Sequence, residues 1–272
     1  MKKSLPKVPT GMFWRYVRRG IMNTLIFLTT VFLYFFRHGE VLKGFVAPGF
    51  FNGFHLRQVV WGLCMIDMLL HLVPKTRFTM GVLKSNPENY RQPPEGFNTG
   101  DLYQYVQTMN IKAWTVMLVW LLFNAFFALL YLLNILTERE MLLLTGFYIL
   151  SESICILFYC PFQSLIMKNR CCVNCRIFDW GHFMMYTPML FIKSFFSWSL
   201  FFTSCVVLIR WELKYAAHPE RFWSGSNCTI RCENCHDKLC HIKRPLRDIY
   251  RNIRLKVNEH SSVPGYDESL PN

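Results

Sequence analysis

At 272 residues, 52% of them hydrophobic and 17% aromatic, the chain suits one large domain or a helical membrane protein. Its 30 Lys and Arg against 17 Asp and Glu give a net charge of +13, which would also suit a nucleic-acid binder. Such a binder needs a soluble basic domain with interleaved aromatics, which only about the last 55 residues could supply, so nucleic acid is set aside.

Residues 1–19 form a basic cytosolic N-terminus with Lys2, Lys3, Lys7, Arg15, Arg18 and Arg19. The apolar run Gly20 to Phe36 resembles a signal peptide in charge pattern. No small residues suited to cleavage follow it, however; Arg37, His38 and Glu40 do. An uncleaved first span over 20–36 with its N-terminus cytoplasmic is expected. A second span is expected over 58–73, carrying Asp67 and His71 and stopped by Pro74. The segment 74–112 is polar and turn-rich, and its Lys75, Arg77, Lys84, Arg91 and Lys112 suit a cytoplasmic loop.

Residues 113–136 carry no formal charge and exceed the roughly 20 apolar residues that span hydrocarbon. A soluble all-α core rarely sustains such a run. Thr137 to Glu140 forms an external turn into a fourth span, 141–167. Beyond Arg176 the pattern allows two short spans, 177–192 and 194–215, turning near Lys193. It equally allows a re-entrant segment, 177–189, feeding one long helix. The expected fold is therefore all-α: a polytopic membrane bundle of five to six apolar segments over 20–215. Both termini are expected on the cytoplasmic side of a bacterial plasma membrane.

Cys172-Val-Asn-Cys175 and Cys232-Glu-Asn-Cys235 flank the last long apolar stretch. Thiolates at i and i+3 on a tight turn can share one soft metal, so these four are the expected ligands of a tetrahedral site. Cys171, Cys228, Cys240, His236 and His241 are possible substitutes or ligands of a second metal. Zinc would make the 216–242 segment a staple onto loop 168–176, whereas an iron–sulfur cluster would make it a redox centre. Thiol–disulfide exchange uses the same spacing. Cys228, Cys232 and Cys235 match the radical S-adenosylmethionine spacing, but too little chain follows for the barrel such enzymes need. Asn227-Cys-Thr229 is a glycosylation sequon only if it faces a lumen.

Residues 243–257 place Leu246, Ile249, Tyr250, Ile253 and Val257 at helical spacing beside Arg244, Arg247, Arg251 and Arg254. A basic amphipathic helix of this kind meets anionic lipid headgroups or packs on the protein's own cytosolic face. Residues 258–272 read as a disordered tail.

Ionisable side chains within apolar segments are costly and mark sites. Asp67 and His71 share a helix face, and Glu152 lies deep in the fourth span, so these three are the catalytic candidates. Asp179 and His182 are expected at an interfacial turn within reach of the first knuckle. Cys64, Cys155, Cys160 and Cys205 read as small packing residues. Three functions follow. One is a membrane redox component passing electrons from a thiolate centre to a quinone or a membrane protein partner. Another is a zinc-stapled assembly protein without catalysis. The last is a lipid-modifying enzyme built on Asp67, His71 and Glu152.

Overall fold

The computed structural model describes residues 11–36, 56–73, 86–169 and 175–234, and every regular element among them is helical. The long elements are α1 (Gly11–Phe36), α2 (Leu56–Leu72), α3 (Thr99–Leu132), α4 (Glu138–Leu157) and α6 (Phe195–Ala217). A short α5 (Gly181–Tyr186) precedes α6. By length and composition α1, α3, α4 and α6 can each cross a membrane, and α2 is a shorter apolar helix. Among the described residues the fold is thus all-α, with four helices of the length and composition that membrane spans have. Its outward faces agree, since Leu118, Leu122, Phe126, Leu129 and Leu132 recur at helical spacing and are all exposed.

Local chemistry sets the helix ends. The Asn98 side chain accepts from the Gly100 N–H at 2.9 Å, opening α3, and Asp101 lies in its first turn. Asn134, past the end of α3, takes the left-handed conformation (φ 57°), which asparagine tolerates better than most residues. The expected external turn at Thr137 is a capping box: the Thr137 side chain accepts from the first turn of α4, and Glu140 reaches back to the Thr137 N–H. At 34 residues α3 is about 51 Å long, against a hydrocarbon core of about 30 Å. Its polar beginning therefore stands outside the bilayer.

Three stretches differ from the sequence expectation. The first helix starts at Gly11 rather than Gly20, so Arg15, Arg18 and Arg19 lie on it and not in a separate basic terminus. The stretch 141–167 is divided: α4 stops at Leu157, and Pro161, which lacks an N–H, leads into a π turn at Phe162–Ile166. Residues 177–192 form no long helix but a 3₁₀ turn (Phe178–Trp180), α5, and a second 3₁₀ turn (Thr187–Phe191) holding Pro188. This broken strand of chain runs antiparallel to α6. Trp180 meets Glu212, the Phe183 and Phe201 rings lie 6.2 Å apart, and Trp198 donates to the Leu190 carbonyl. The reversal falls at Lys193, where the Ser194 N–H donates to the Ile192 carbonyl at 2.8 Å.

α1 packs antiparallel on α4. Tyr16 lies against Ile156 and Leu157, and the Tyr34 hydroxyl donates to Glu140 at the other end. Gly146 lets them approach closely, because a Cβ there would sit 3.3 Å from Thr30. One core, around Met68, Met141, Ile149, Met189 and Val207, fills the bundle. A second, around Val116, Met167, Trp180, Trp211 and Phe222, fills a cap at the end where α4 and α6 finish. There the Tyr105 hydroxyl donates to the Phe222 carbonyl, and the Tyr105 ring stacks on Trp223. The 243–257 helix and the 258–272 tail lie outside the described residues.

Candidate functional site

Where the two cores meet, α1, α2, α4 and α5 each turn ionisable side chains inward. One helical stripe of α1 (Tyr16, Arg19, Gly20, Asn23) faces α4. Arg19 is the hub: its Nη2 lies 3.1 Å from Asp67 Oδ2, 3.1 Å from Glu152 Oε1 and 3.2 Å from His182 Nε2. His182 Nε2 is also 3.1 Å from Asp67 Oδ2. The Asn23 amide donates to Glu152 Oε2, to the Ser153 hydroxyl and to the Ile149 carbonyl, fixing the carboxylate from its other side. Gly181 opens α5 directly against Glu152, 3.4 Å from its Cγ as measured from where a Cβ would stand. His71, one turn beyond Asp67, places Nδ1 2.8 Å from the Asp67 carbonyl, and its ring lies 4.4 Å from that of His182.

The side chains differ in access. Arg19, Glu152 and His182 are 14%, 13% and 4% exposed, whereas Asp67 is 45% exposed. Its exposed neighbours on α2 are Leu63, Ile66 and Leu69, so the opening is flanked by apolar surface. Charge is also unbalanced. Two carboxylates face one guanidinium, in a setting where each unpaired charge is costly. Such a centre favours a further positive charge, supplied by a proton or a cation.

Asp67, His71 and Glu152, singled out by their isolation in apolar sequence, do converge. Arg19 joins Asp67 to Glu152 and was missed because it ended a run of basic residues read as solvated. Asn23, four residues on in the same helix, was the available signal. His182 turns to Arg19 and Asp67, and residues 171–174 of the first knuckle lie outside the described residues.

A second polar cluster lies in the cap. Arg176 forms a bidentate pair with Glu212, Trp180 Nε1 donates to Glu212 Oε1 at 2.6 Å, and Trp211 Nε1 donates to the Arg176 carbonyl at 2.8 Å. The guanidinium also lies over the Tyr215 ring at 3.6 Å.

Of the expected thiolate ligands, Cys172 and Cys235 lie outside the described residues, as do Cys171, Cys240, His236 and His241. Cys232 falls in a described 3₁₀ turn. Cys175 is buried among Ile177, Trp180, Trp211 and Phe222, and Cys228 is half-buried with its N–H donating to the Arg91 carbonyl. Among the described residues, the group whose donors stand close enough to share an ion is Asp67, His71 and His182, all within 4.8 Å of one another. Asn227, in the sequon, is fully buried, and its amide donates to the Arg221 carbonyl, so it offers no acceptor for a glycan.

Among the described residues the fold is helical, with four helices long and apolar enough to cross a membrane and a largely buried polar centre among them. No protein-family model matches the chain, and neither a curated protein nor a solved structure matches it.

Proposed function

We propose that the protein is a membrane-embedded enzyme acting on the polar head of an amphiphile, with Arg19, Asp67, His71, Glu152 and His182 as its centre. The observation that carries this reading is the unbalanced cluster, reached through Asp67 from an apolar flank. A structural ion pair needs neither excess charge nor an opening. A lipid, by contrast, can lay its chains along Leu63, Ile66 and Leu69 while its head group meets the carboxylate.

Described basic residues gather at the capped end (Arg18, Arg91, Lys168, Lys214, Arg221, Arg231), against Arg57, Arg139 and Lys193 at the other. That bias supports a cytoplasmic cap. The centre then lies just beneath the cytoplasmic leaflet.

Reconstitution into vesicles with labelled phospholipid head groups tests the reading. Release or transfer of label is expected, falling about 100-fold or more in Asp67→Asn and Glu152→Gln, the usual scale for lost acid–base groups. No turnover and no co-purifying lipid in the wild type would overturn it.

A second reading keeps the cysteine module as a zinc or iron–sulfur site, either a staple or a redox centre serving a quinone. It is supported by Cys175, the last cysteine of the first knuckle, lying in the cap core, and by Cys228, four residues before the second, whose N–H donates to the Arg91 carbonyl ahead of α3. Anaerobic purification with metal analysis and visible absorbance separates zinc from iron–sulfur, and metal-free, fully alkylated thiols remove both.

A further inference from the structure

We propose that Asp67, His71 and His182 hold a divalent first-row transition ion, with the Arg19–Glu152 pair as its outer shell. This deepens the proposed function by naming the cofactor of the same centre.

Donor chemistry points to the ion class. Two imidazoles and one carboxylate form the three-ligand set of open zinc and related sites, which leave a fourth position for water or substrate. The ligand atoms lie within 4.8 Å of one another, whereas bond lengths of about 2.1 Å imply separations of about 3.4 Å in a tetrahedron. His182 Nε2 and Asp67 Oδ2, 3.1 Å apart, already stand near that separation, so the adjustment on loading falls mainly on His71. His71 is prepared for this. Its Nδ1 faces a carbonyl, which can only accept, so the proton sits on Nδ1 and the Nε2 lone pair is available to a metal. The open position falls beside Asp67, whose side chain is more exposed than those of Arg19, Glu152 and His182.

Arg19 gives the site its distinctive property. Its guanidinium contacts two of the ligands, Asp67 and His182, and so competes with a cation for them. It also contacts Glu152, which Asn23 holds in place. Metal entry then passes Arg19 wholly to Glu152, leaving Asp67 and His182 to the ion. Glu152 acts here as a positioning residue.

Cobalt titration of the purified full-length protein in detergent, with exposed thiols alkylated beforehand, is the test. Weak visible bands of nitrogen–oxygen ligation are expected, without the intense near-ultraviolet band of cobalt–thiolate bonds. His71→Ala and Asp67→Asn should abolish them, and Glu152→Gln should weaken binding about 10–100-fold with the band shape kept, as outer-shell losses do. Arg19→Met should bind cobalt more tightly than the wild type, an effect that a purely structural arginine would not produce. Elution volume and circular dichroism identify any variant that fails to fold. Absence of the bands in the wild type, or their survival in both His71→Ala and Asp67→Asn, overturns the proposal. Lipid turnover that persists in chelator-treated, metal-free protein overturns the metal alone. Cobalt binding as expected with no lipid retained or altered overturns the lipid reading and leaves the metal standing.

Discussion

Two guanidiniums among the described residues, Arg19 in the bundle and Arg176 in the cap, are surrounded very differently. Arg176 faces one carboxylate, which accepts from it in a bidentate pair and from the Trp180 indole, and its open face is covered by Tyr215. Charge cancels through the two terminal nitrogens of Arg176, as in a pair that fastens two segments, while its buried Nε has no hydrogen-bond partner. Arg19 faces two carboxylates and a histidine drawn from three other elements, with one carboxylate partly open. The first arrangement is balanced in charge as it stands. The second sets two carboxylates against one guanidinium, the excess that the proposed ion would offset.

The largest test of that contrast is Arg19→Met. Removing it strands Asp67 and Glu152, and losing one partner of a buried pair costs about 3–5 kcal/mol. A steep loss of thermal stability is expected, and added zinc should raise the midpoint more in this variant than in the wild type. An equal zinc response in both proteins would show that Arg19 and a cation do not share a place.

Glu212→Gln comes next. It leaves Arg176 buried at the top of α6 without its charge partner, while the amide can still accept from Trp180. A loss of about 1.5–3 kcal/mol is expected, the range for hydrogen bonds to charged groups. Chemical denaturation reads it, and zinc should not restore it. The double change Arg176→Met with Glu212→Leu should recover much of the loss, since a matched buried pair is replaceable by apolar packing. If instead the double variant loses the activity attributed to the bundle centre, the cap is more than a fastening.

How much of this was legible in the sequence divides along the same line. Residues 113–136 announced α3 because a charge-free run of that length has few other uses, and Thr137 to Glu140 marked its reversal. Asp67, His71 and Glu152 stood out as lone ionisable groups among apolar neighbours. Arg19 did not, because a charge at the edge of a basic run looks solvated until its helix is seen to begin at Gly11. His182 lay in a stretch broken by Gly181 and Pro188, where no single helical period exists to say which way a side chain turns. That four elements meet at one point is a tertiary fact, and hydropathy along the chain carries no trace of it.

Tyr215→Leu is a smaller probe of the cap. It keeps an apolar side chain but removes the ring beneath Arg176, and a cation–π contact is worth about 0.5–2 kcal/mol as it becomes desolvated. A modest stability loss is expected. In a Glu212→Gln background the loss should shrink or grow measurably, because both partners act on one guanidinium and neighbouring groups are not additive.

Asp67→Asn should change stability least and function most. The side chain is 45% exposed, Arg19 retains Glu152, and the asparagine carbonyl can still accept from the guanidinium. A partly exposed pair contributes about 1 kcal/mol or less, so the thermal midpoint should barely move. What disappears is the negative charge at the mouth of the centre, and with it both cobalt binding and head-group turnover. A stable, well-folded Asp67→Asn protein that has lost both would separate the carboxylate's chemical role from any fastening role. If Asp67→Asn were instead as unstable as Arg19→Met, Asp67 would belong with Glu212 as a structural partner, and the two guanidiniums would differ only in place.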